Sequence, residues 1–305
     1  MDSSAITANL ARYRFHIELE NSIREPIYAG SMLRGAFGHA LRKTSCITSP
    51  PDHDVCLLAA SCPYCNLFAT TSNSDQARYA DVAPPIVIEA PLNMDTQQPS
   101  KRLVFNMVLI GPSLQYLSHI ILAWQRAGLH GFGKQRTKGK LTHVEWLPET
   151  KPALTIYAQN ESMLVAHTPN TTLTPNFPSD SINLSFTTPA RLKQKGKYCN
   201  GSSITAVALL SALERKVKYM NQRYLGLNLP LTAVNDLTLS HHSLRVIHWT
   251  RYSSRQHQTM DLNGLVGNFT LTGNMQSWWP YIQLGTYLHI GKNTSFGLGQ
   301  LEVLS

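Results

Sequence analysis

The apolar positions of this 305-residue chain change period several times, and each change predicts an element. Over residues 12–20, Tyr13, Phe15, Ile17 and Leu19 alternate with Arg14, His16, Glu18 and Glu20. Period two is that of a half-buried strand, and it leaves His16 on the polar side. From residue 28 to 43 the period lengthens. Leu33, Ala36, Phe37, Ala40 and Leu41 make a stripe at i, i+3, i+4, i+7 and i+8, as an amphipathic helix requires, with Gly30 at its entrance. Gly35, Gly38, His39 and Arg42 then fall on the opposite face, with Lys43 at its margin. Residues 86–90 and 103–110 read as strands. Residues 113–127 read as a helix, capped by Ser113 and ended by Gly128, and a strand follows over 140–147. The order β-α-β-β-α-β is the ferredoxin-like pattern.

Residues 148–180 are rich in proline, threonine and asparagine and read as boundary and peripheral structure. Beyond them the order recurs less cleanly. A strand is expected over 182–188, a long helix over 204–225, a strand pair over 244–253 and 264–272, a helix over 275–288 and a last strand over 300–304. The expected class is α+β, with two tandem ferredoxin-like domains. They run from 1 to 150, with a cysteine-containing insertion over about 44–85, and from 151 to 305. Each half also holds a helix, a glycine-rich loop and a strand in succession, the loops being residues 128–134 and 289–299. That is a likeness of pattern, not of residues.

Composition narrows the partners. Hydrophobic residues make up 43% of the chain, enough for real cores. No run of eighteen apolar residues predicts a membrane span, and the N-terminal residues lack the basic-then-apolar order of a signal peptide. A cytoplasmic protein is expected. The formal charge of +9 favours a polyanion such as RNA or DNA. Arg191, Lys193, Lys195 and Lys197 form a basic ladder around Gly196, and Arg251, Tyr252 and Arg255 place an aromatic among cations. The loop 289–299 crowds Gly291, Lys292, Asn293, Ser295, Gly297 and Gly299 together, where glycines let main-chain N–H groups approach a phosphate. It is not a Walker loop, because the helix precedes it and Gly-Lys stands at its start.

Two groups carry possible chemistry. His39 is a titratable side chain beside Arg42, Lys43 and two glycines, on the face away from the stripe. Imidazole can exchange a proton near neutral pH while cations hold developing negative charge. Cys46, Cys56, Cys62 and Cys65 lie within twenty positions, with Cys62 and Cys65 at zinc-knuckle spacing. They read either as ligands of one structural zinc or as free thiols in a loop. Cys199 stands apart.

Several of these stretches carry a resemblance: GSMLRGAFGHALR at 30–42, CPYCNLF at 62–68, GFGK at 131–134, RYSSRQ at 251–256 and HIGKNTSFGLG at 289–299. The chain resembles the Cas6-type CRISPR RNA-processing endoribonucleases of the RAMP superfamily over nearly its whole length. The resemblance implies two ferredoxin-like domains and metal-independent cleavage of precursor CRISPR RNA beside a repeat hairpin. The ribose 2′-OH would attack its own 3′-phosphate and leave 2′,3′-cyclic phosphate and 5′-OH ends, with no cofactor. It also implies a proton-handling histidine in or near the first helix. His39 matches that position, with Tyr28 and Lys43 as helpers. Arg34, Arg42 and Lys134 join the basic ladder, Arg251, Arg255 and the 289–299 loop as the RNA-contacting set. Other Cas proteins are possible partners. Two alternatives stand beside the enzyme: a RAMP subunit that binds CRISPR RNA without cutting it, and a zinc-dependent nucleic-acid-binding regulator.

Overall fold

The structure is a computed structural model. It describes residues 6–23, 28–48, 56–68, 83–90, 99–161, 163–178, 180–248, 250–253 and 258–304, with the main chain alone over 250–253 and 258–260. The chain divides into two compact units, Asn9–Thr171 and Thr172–Ser305 with Met1–Ala8.

In the first unit the elements are β1 (Leu10–Ile23), α1 (Gly30–Ser45), α2 (Pro63–Leu67), β2 (Ile86–Glu89), β3 (Ser100–Ile110), α3 (Leu117–His130), β4 (Gly139–Leu147) and β5 (Leu154–Ala158). The sheet order is β2-β3-β1-β4-β5, and every neighbouring pair is antiparallel. The first four strands and two long helices make the ferredoxin-like arrangement. The alternation in β1 sets which face is covered. Tyr13, Phe15 and Ile17 are buried, and Phe15 stacks on its cross-strand partner Phe105 with centroids 5.5 Å apart. Trp124 of α3 lies 4.4 Å from Phe105, and Phe37 of α1 stacks on Trp124 at 5.2 Å. One aromatic column therefore runs from the sheet through both helices. On the other face, His16 stacks on its register partner His143 at 3.8 Å and meets the Glu145 carboxylate at 2.8 Å.

The second unit repeats the plan with β6 (Ser181–Ala190), α4 (Ala206–Met220), β7 (Leu237–His242), β8 (Arg245–Ile247), β9 (Gly264–Gly273), α5 (Trp279–Leu288) and β10 (Leu301–Leu304). Its sheet order is β7-β9-β6-β10, with β8 also on β9. Thr205 caps α4 by accepting from the Ala208 N–H at 3.1 Å. Leu209, Leu210, Leu213 and Val217 of α4 and Ile282, Leu284 and Leu288 of α5 are buried. Among the described residues no helix is long and apolar enough to cross a membrane.

Several expectations shift. The segment after residue 150 was expected with the second half, yet β5 adds a fifth strand to the first sheet. Ser113 lies inside a 3-10 turn, Gly111–Tyr116, instead of capping a helix. Its hydroxyl donates to the Pro85 carbonyl at 2.9 Å and accepts from the Ile110 N–H at 2.6 Å, which stitches β3 to the start of β2. Gly128 does not end α3. The helix continues to His130, and Gly131, at φ +86°, ends it. Gly128 is needed for packing: a Cβ there would stand 2.3 Å from the Gly139 carbonyl oxygen of β4. In the second unit α4 stops at Met220, and the last turn expected of it is a π-helical turn, Asn221–Leu225.

Gly35 and Gly128 offer a paired test. Gly35 is a mid-helix glycine with nothing within 4 Å of a built Cβ. Gly35→Ala should stabilise the chain by about 0.5–1 kcal/mol, because alanine gives up less chain entropy in a helix. Gly128→Ala should destabilise it by about 1–3 kcal/mol, because backbone must move. Thermal melting of the two variants, with opposite signs, checks both.

Candidate functional site

His39 lies on the exposed face of α1. Its ring meets that of His130, the last residue of α3, edge to face at 5.7 Å between centroids. Partial burial, then the charges of Lys43, His130, Arg136 and Arg42, pull the His39 pKa below the ordinary histidine value. Each factor disfavours imidazolium, so the neutral base is the form present at neutral pH. Lys43 is one turn further along α1 on the same side. Arg126 of α3 donates to the Lys43 carbonyl at 3.0 Å, which ties the end of α1 to α3 and satisfies one of its terminal carbonyls.

The turn after α3 explains why His130 and Arg136 arrive there. Phe132, 1% exposed, and Thr137 exchange main-chain hydrogen bonds of 2.9 and 3.0 Å. The intervening residues form a tight loop, with Arg136 at φ +50° and Gly133 at φ +70°. A side chain at Gly131 would meet the Arg136 carbonyl at 2.1 Å. The loop also lies beside α1, with Met32 Sδ 3.8 Å from a Cβ built on Gly133. Lys134 is exposed at its tip. His130 and Arg136 complete a cationic group around His39 that the period of α1 alone does not reveal. The only trace in the sequence is a histidine at a helix end before glycine.

The second unit's glycine-rich loop is built differently from the cradle expected of it. The N–H groups of Ile290, Lys292, Gly297 and Gly299 donate to Gly299, Arg191, Thr294 and Pro189 carbonyls at 2.8, 3.1, 2.8 and 3.1 Å. These donors hold the loop closed and are not presented to a ligand. Arg191, buried at 9% exposure, donates from Nη1 to the Asn293 side chain and from Nη2 to the Asp261 carbonyl at 3.0 Å. Lys216 of α4 reaches Thr294 Oγ1 at 2.9 Å, and burial pulls its pKa down to about 8. Gly291 packs on the Arg191 backbone, and Gly299, at φ +71°, leaves only 1.9 Å between a Cβ and the Ile290 oxygen. Gly297 is buried, Ser295 is half-buried and Lys292 is exposed. Beside the loop, Lys193–Gln194 pairs with Lys197–Tyr198 in a hairpin turned by Lys195 and Gly196, both at positive φ. Its three lysines are exposed, and Tyr198 is flanked by Arg191 at 4.8 Å and Lys193 at 4.7 Å.

Two family models cover successive parts of the chain. One, described as an N-terminal domain, matches residues 7–170. The other, for the CRISPR-associated endoribonuclease Cas6, matches residues 184–301, which include the whole glycine-rich loop. Over residues 184–301 the chain thus resembles the Cas6 family. Among solved structures, a product complex of the Thermus thermophilus Cas6 (TTHB231) is similar at TM-score 0.59 and 14% identity, covering 97% of this chain and 99% of that one. A Cas6 (TTHA0078) product complex is similar at TM-score 0.53 and 17% identity, over 97% and 99%. A partial Cas6-RT-Cas1--Cas2 complex is similar at TM-score 0.57 and 13% identity, over 97% of this chain and 46% of that one. At these identities the likeness speaks for a shared fold. No curated protein sequence matches the chain.

The Cas6 match supports a role in RNA cleavage or RNA binding, and the structure sorts the residues expected to serve it. Tyr28 is not placed to help His39. It is 3% exposed, and burial, reinforced by the Glu89 carboxylate, raises its pKa well above the ordinary tyrosine value. Nine residues of helix, about 14 Å, also separate Gly30 from His39. Gly38, expected on the open face, is buried: the Phe68 ring would lie 2.3 Å from a Cβ there. Arg34 lies over the same ring at 4.0 Å, so its guanidinium is engaged in packing. His16 belongs to the sheet face away from the helices, with His143 and Glu145, and does not join His39. The Arg251 side chain and all of Arg255 lie outside the described residues. Cys62 and Cys65 are buried and Cys46 and Cys56 half-buried, beside a cleft of about 310 Å³ lined by Cys46, Cys56, Cys62 and His119. Burial and the Cys62 thiol push Cys65 up to about 12.

The loop geometry predicts a split between Gly299 and Lys292. Gly299→Ala should lower stability by more than about 1 kcal/mol, through positive φ and the clash with Ile290. Lys292→Ala should stay within about 0.5 kcal/mol of the parent, as an exposed surface change. Denaturant unfolding of the two variants measures both.

Proposed function

We propose that this protein cleaves precursor CRISPR RNA at the His39 face of the first unit, by metal-independent attack of a ribose 2′-OH on the adjacent 3′-phosphate. The observation that carries the reading is His39 exposed on α1, 5.7 Å from the His130 ring, with partial burial and then Lys43, His130, Arg136 and Arg42 lowering its pKa. His39 takes the 2′-OH proton as the 2′-oxygen bonds to phosphorus. The P–O5′ bond breaks, and the departing 5′-oxygen takes a proton from solvent water. The products are a 2′,3′-cyclic phosphate and a 5′-OH. Lys43, Arg42 and Arg136 stabilise the extra negative charge on the phosphorane. The exposed Lys193, Lys195 and Lys197 and the exposed Lys292 contact RNA phosphates, aided by Lys134, Arg251 and Arg255. Ser295 adds a half-buried hydroxyl, while Asn293, Gly297 and Gly299 serve the RNA by shaping the loop. The product remains bound as the crRNA, with other Cas proteins as possible companions.

His39→Ala should slow single-turnover cleavage of repeat RNA by about 10²–10⁴ while leaving affinity nearly unchanged. A 2′-deoxy sugar at the cleaved nucleotide should abolish cutting, EDTA should not, and end-group analysis should find the cyclic phosphate. Parent-like rates in His39→Ala would sink the assignment. Binding without cleavage in the unmodified protein would favour the non-catalytic RAMP subunit.

The pH profile follows from the sign of the shift. A base is active when deprotonated, and the His39 pKa lies below the usual 6.5. Cleavage by the free protein, measured as kcat/KM, should rise with pH through that lowered midpoint and be flat in its basic limb by neutrality. Lys43→Ala removes a cation and should move the basic-limb midpoint upward. For binding, Lys292→Ala should weaken repeat-RNA affinity and reduce the salt slope by about 1.

A further inference from the structure

We propose that Cys46, Cys56, Cys62 and Cys65 hold a structural zinc ion that clamps the C-terminal end of α1 to the α2 turn. All four are free thiols, and they come from three separate places: the residue after α1, the loop at Cys56, and the two ends of the first turn of α2. The chain brings them together. Cys46, Cys56 and Cys62 line one cleft, and Cys65 is near enough to all three to feel their charge. Cys62 Sγ is 3.8 Å from the Ser45 carbonyl, at the end of α1, and Cys56 Sγ is 3.5 Å from the Thr48 hydroxyl. Both thiols are therefore turned toward the α1 exit. Cys62 is the N-cap of α2 and Cys65 follows by one turn, the knuckle spacing that sets two sulfurs on one side.

The ligand chemistry selects the metal. Four thiolates suit a soft or borderline ion, and zinc takes them tetrahedrally with Zn–S of about 2.3 Å. That geometry places sulfurs about 3.8 Å apart, closer than the thiols stand as a group, so binding draws them together. The bound group would carry a net charge of about −2. It would sit against the last turn of α1, where Arg42 and Lys43 supply positive charge.

Among the described residues between α1 and α2, Ile47 is 87% exposed and Leu57 fully exposed, while the Asn66 amide donates to the Ala59, Ala60 and Cys62 carbonyls. At its far end Phe68 packs beneath Gly38 and Arg34. A metal at the thiols supplies the second anchor. The helix held in this way is the one that carries His39, seven residues before Cys46.

Among the described residues one group of three or more has its donor atoms within 4.8 Å of one another, namely His16, His143 and Glu145, and the thiols do not yet stand that close as a group. It is the rival metal site. The experiment uses the full-length protein without RNA, so its outcome is independent of cleavage. Protein purified without chelator should contain about one zinc per chain by elemental analysis. Cobalt exchanged for zinc should show the visible bands of tetrahedral coordination and sulfur-to-cobalt charge transfer. Cys62→Ser with Cys65→Ser should lose the metal and melt at lower temperature, while His143→Ala keeps both. If the double variant does not fold, Cys46→Ser alone should weaken the sulfur-to-cobalt band. The clamp is overturned by native protein that is folded and metal-free and gives no thiolate–cobalt spectrum. It is equally overturned by metal retained in the cysteine variants and lost in His143→Ala.

Discussion

The aromatic column of Phe15, Phe105, Trp124 and Phe37 decides where everything else in the first unit can be. Phe15 and Phe105 face each other across β1 and β3, Trp124 covers them from α3, and Phe37 brings α1 against Trp124. The Trp124 indole N–H is directed at Met107 Sδ at 3.0 Å, so the ring is fixed in rotation as well as position. With α1 held by Phe37, His39 two residues on is turned to the outside. With α3 held by Trp124, its last residue, His130, ends beside it. Neither histidine has a partner in the sheet, so their 5.7 Å approach is inherited from the packing of the helices behind them.

Close backbone approach is the second constraint, and it gives the glycines a meaning different from openness. Gly128 lets α3 touch the start of β4, and Gly285 lets α5 approach Leu213 of α4. Gly38 admits the Phe68 ring, and Gly299 closes the C-terminal loop on Ile290. In each case the missing Cβ is replaced by another part of the protein. Gly35 alone in α1 faces open space. The glycine-rich loop is therefore rigid and internally bonded. Its value to a ligand lies in where it sets Lys292, not in a row of unused N–H groups.

The period of apolar residues made β1, α1, α3 and the order of both units legible, because each has one buried face of its own. What it missed has a physical reason. Leu154–Ala158 and Leu237–His242 are short outer strands whose polar faces leave too few apolar positions to reveal a period. Gly38 and Gly128 lie at positions where helix geometry alone cannot distinguish solvent from a neighbouring ring or carbonyl. The exposure of His39 could be read from the stripe opposite it. Its company could not, because His130 and Arg136 lie about ninety residues away and are delivered by a turn whose shape depends on Gly131 and Gly133. Tyr28 failed as a helper for the reverse reason. It is near α1 in sequence but precedes its first turn, where the chain runs into the core.

The charges around His39 have a consequence for the proposed chemistry. In the free chain, cations lower the affinity of the imidazole for a proton, which keeps the base form present but also makes it a weaker base. An RNA phosphate docked among Lys43, Arg42 and Arg136 cancels part of that field. The imidazole then becomes more basic at the moment when it must accept the 2′-OH proton. The kinetic signature is a difference between two profiles. The basic-limb midpoint seen in kcat, which reports the bound complex, should lie above that seen in kcat/KM, which reports the free protein. Coincident midpoints would mean that the phosphate does not enter the field of these cations, and the cleavage centre would have to be sought away from His39.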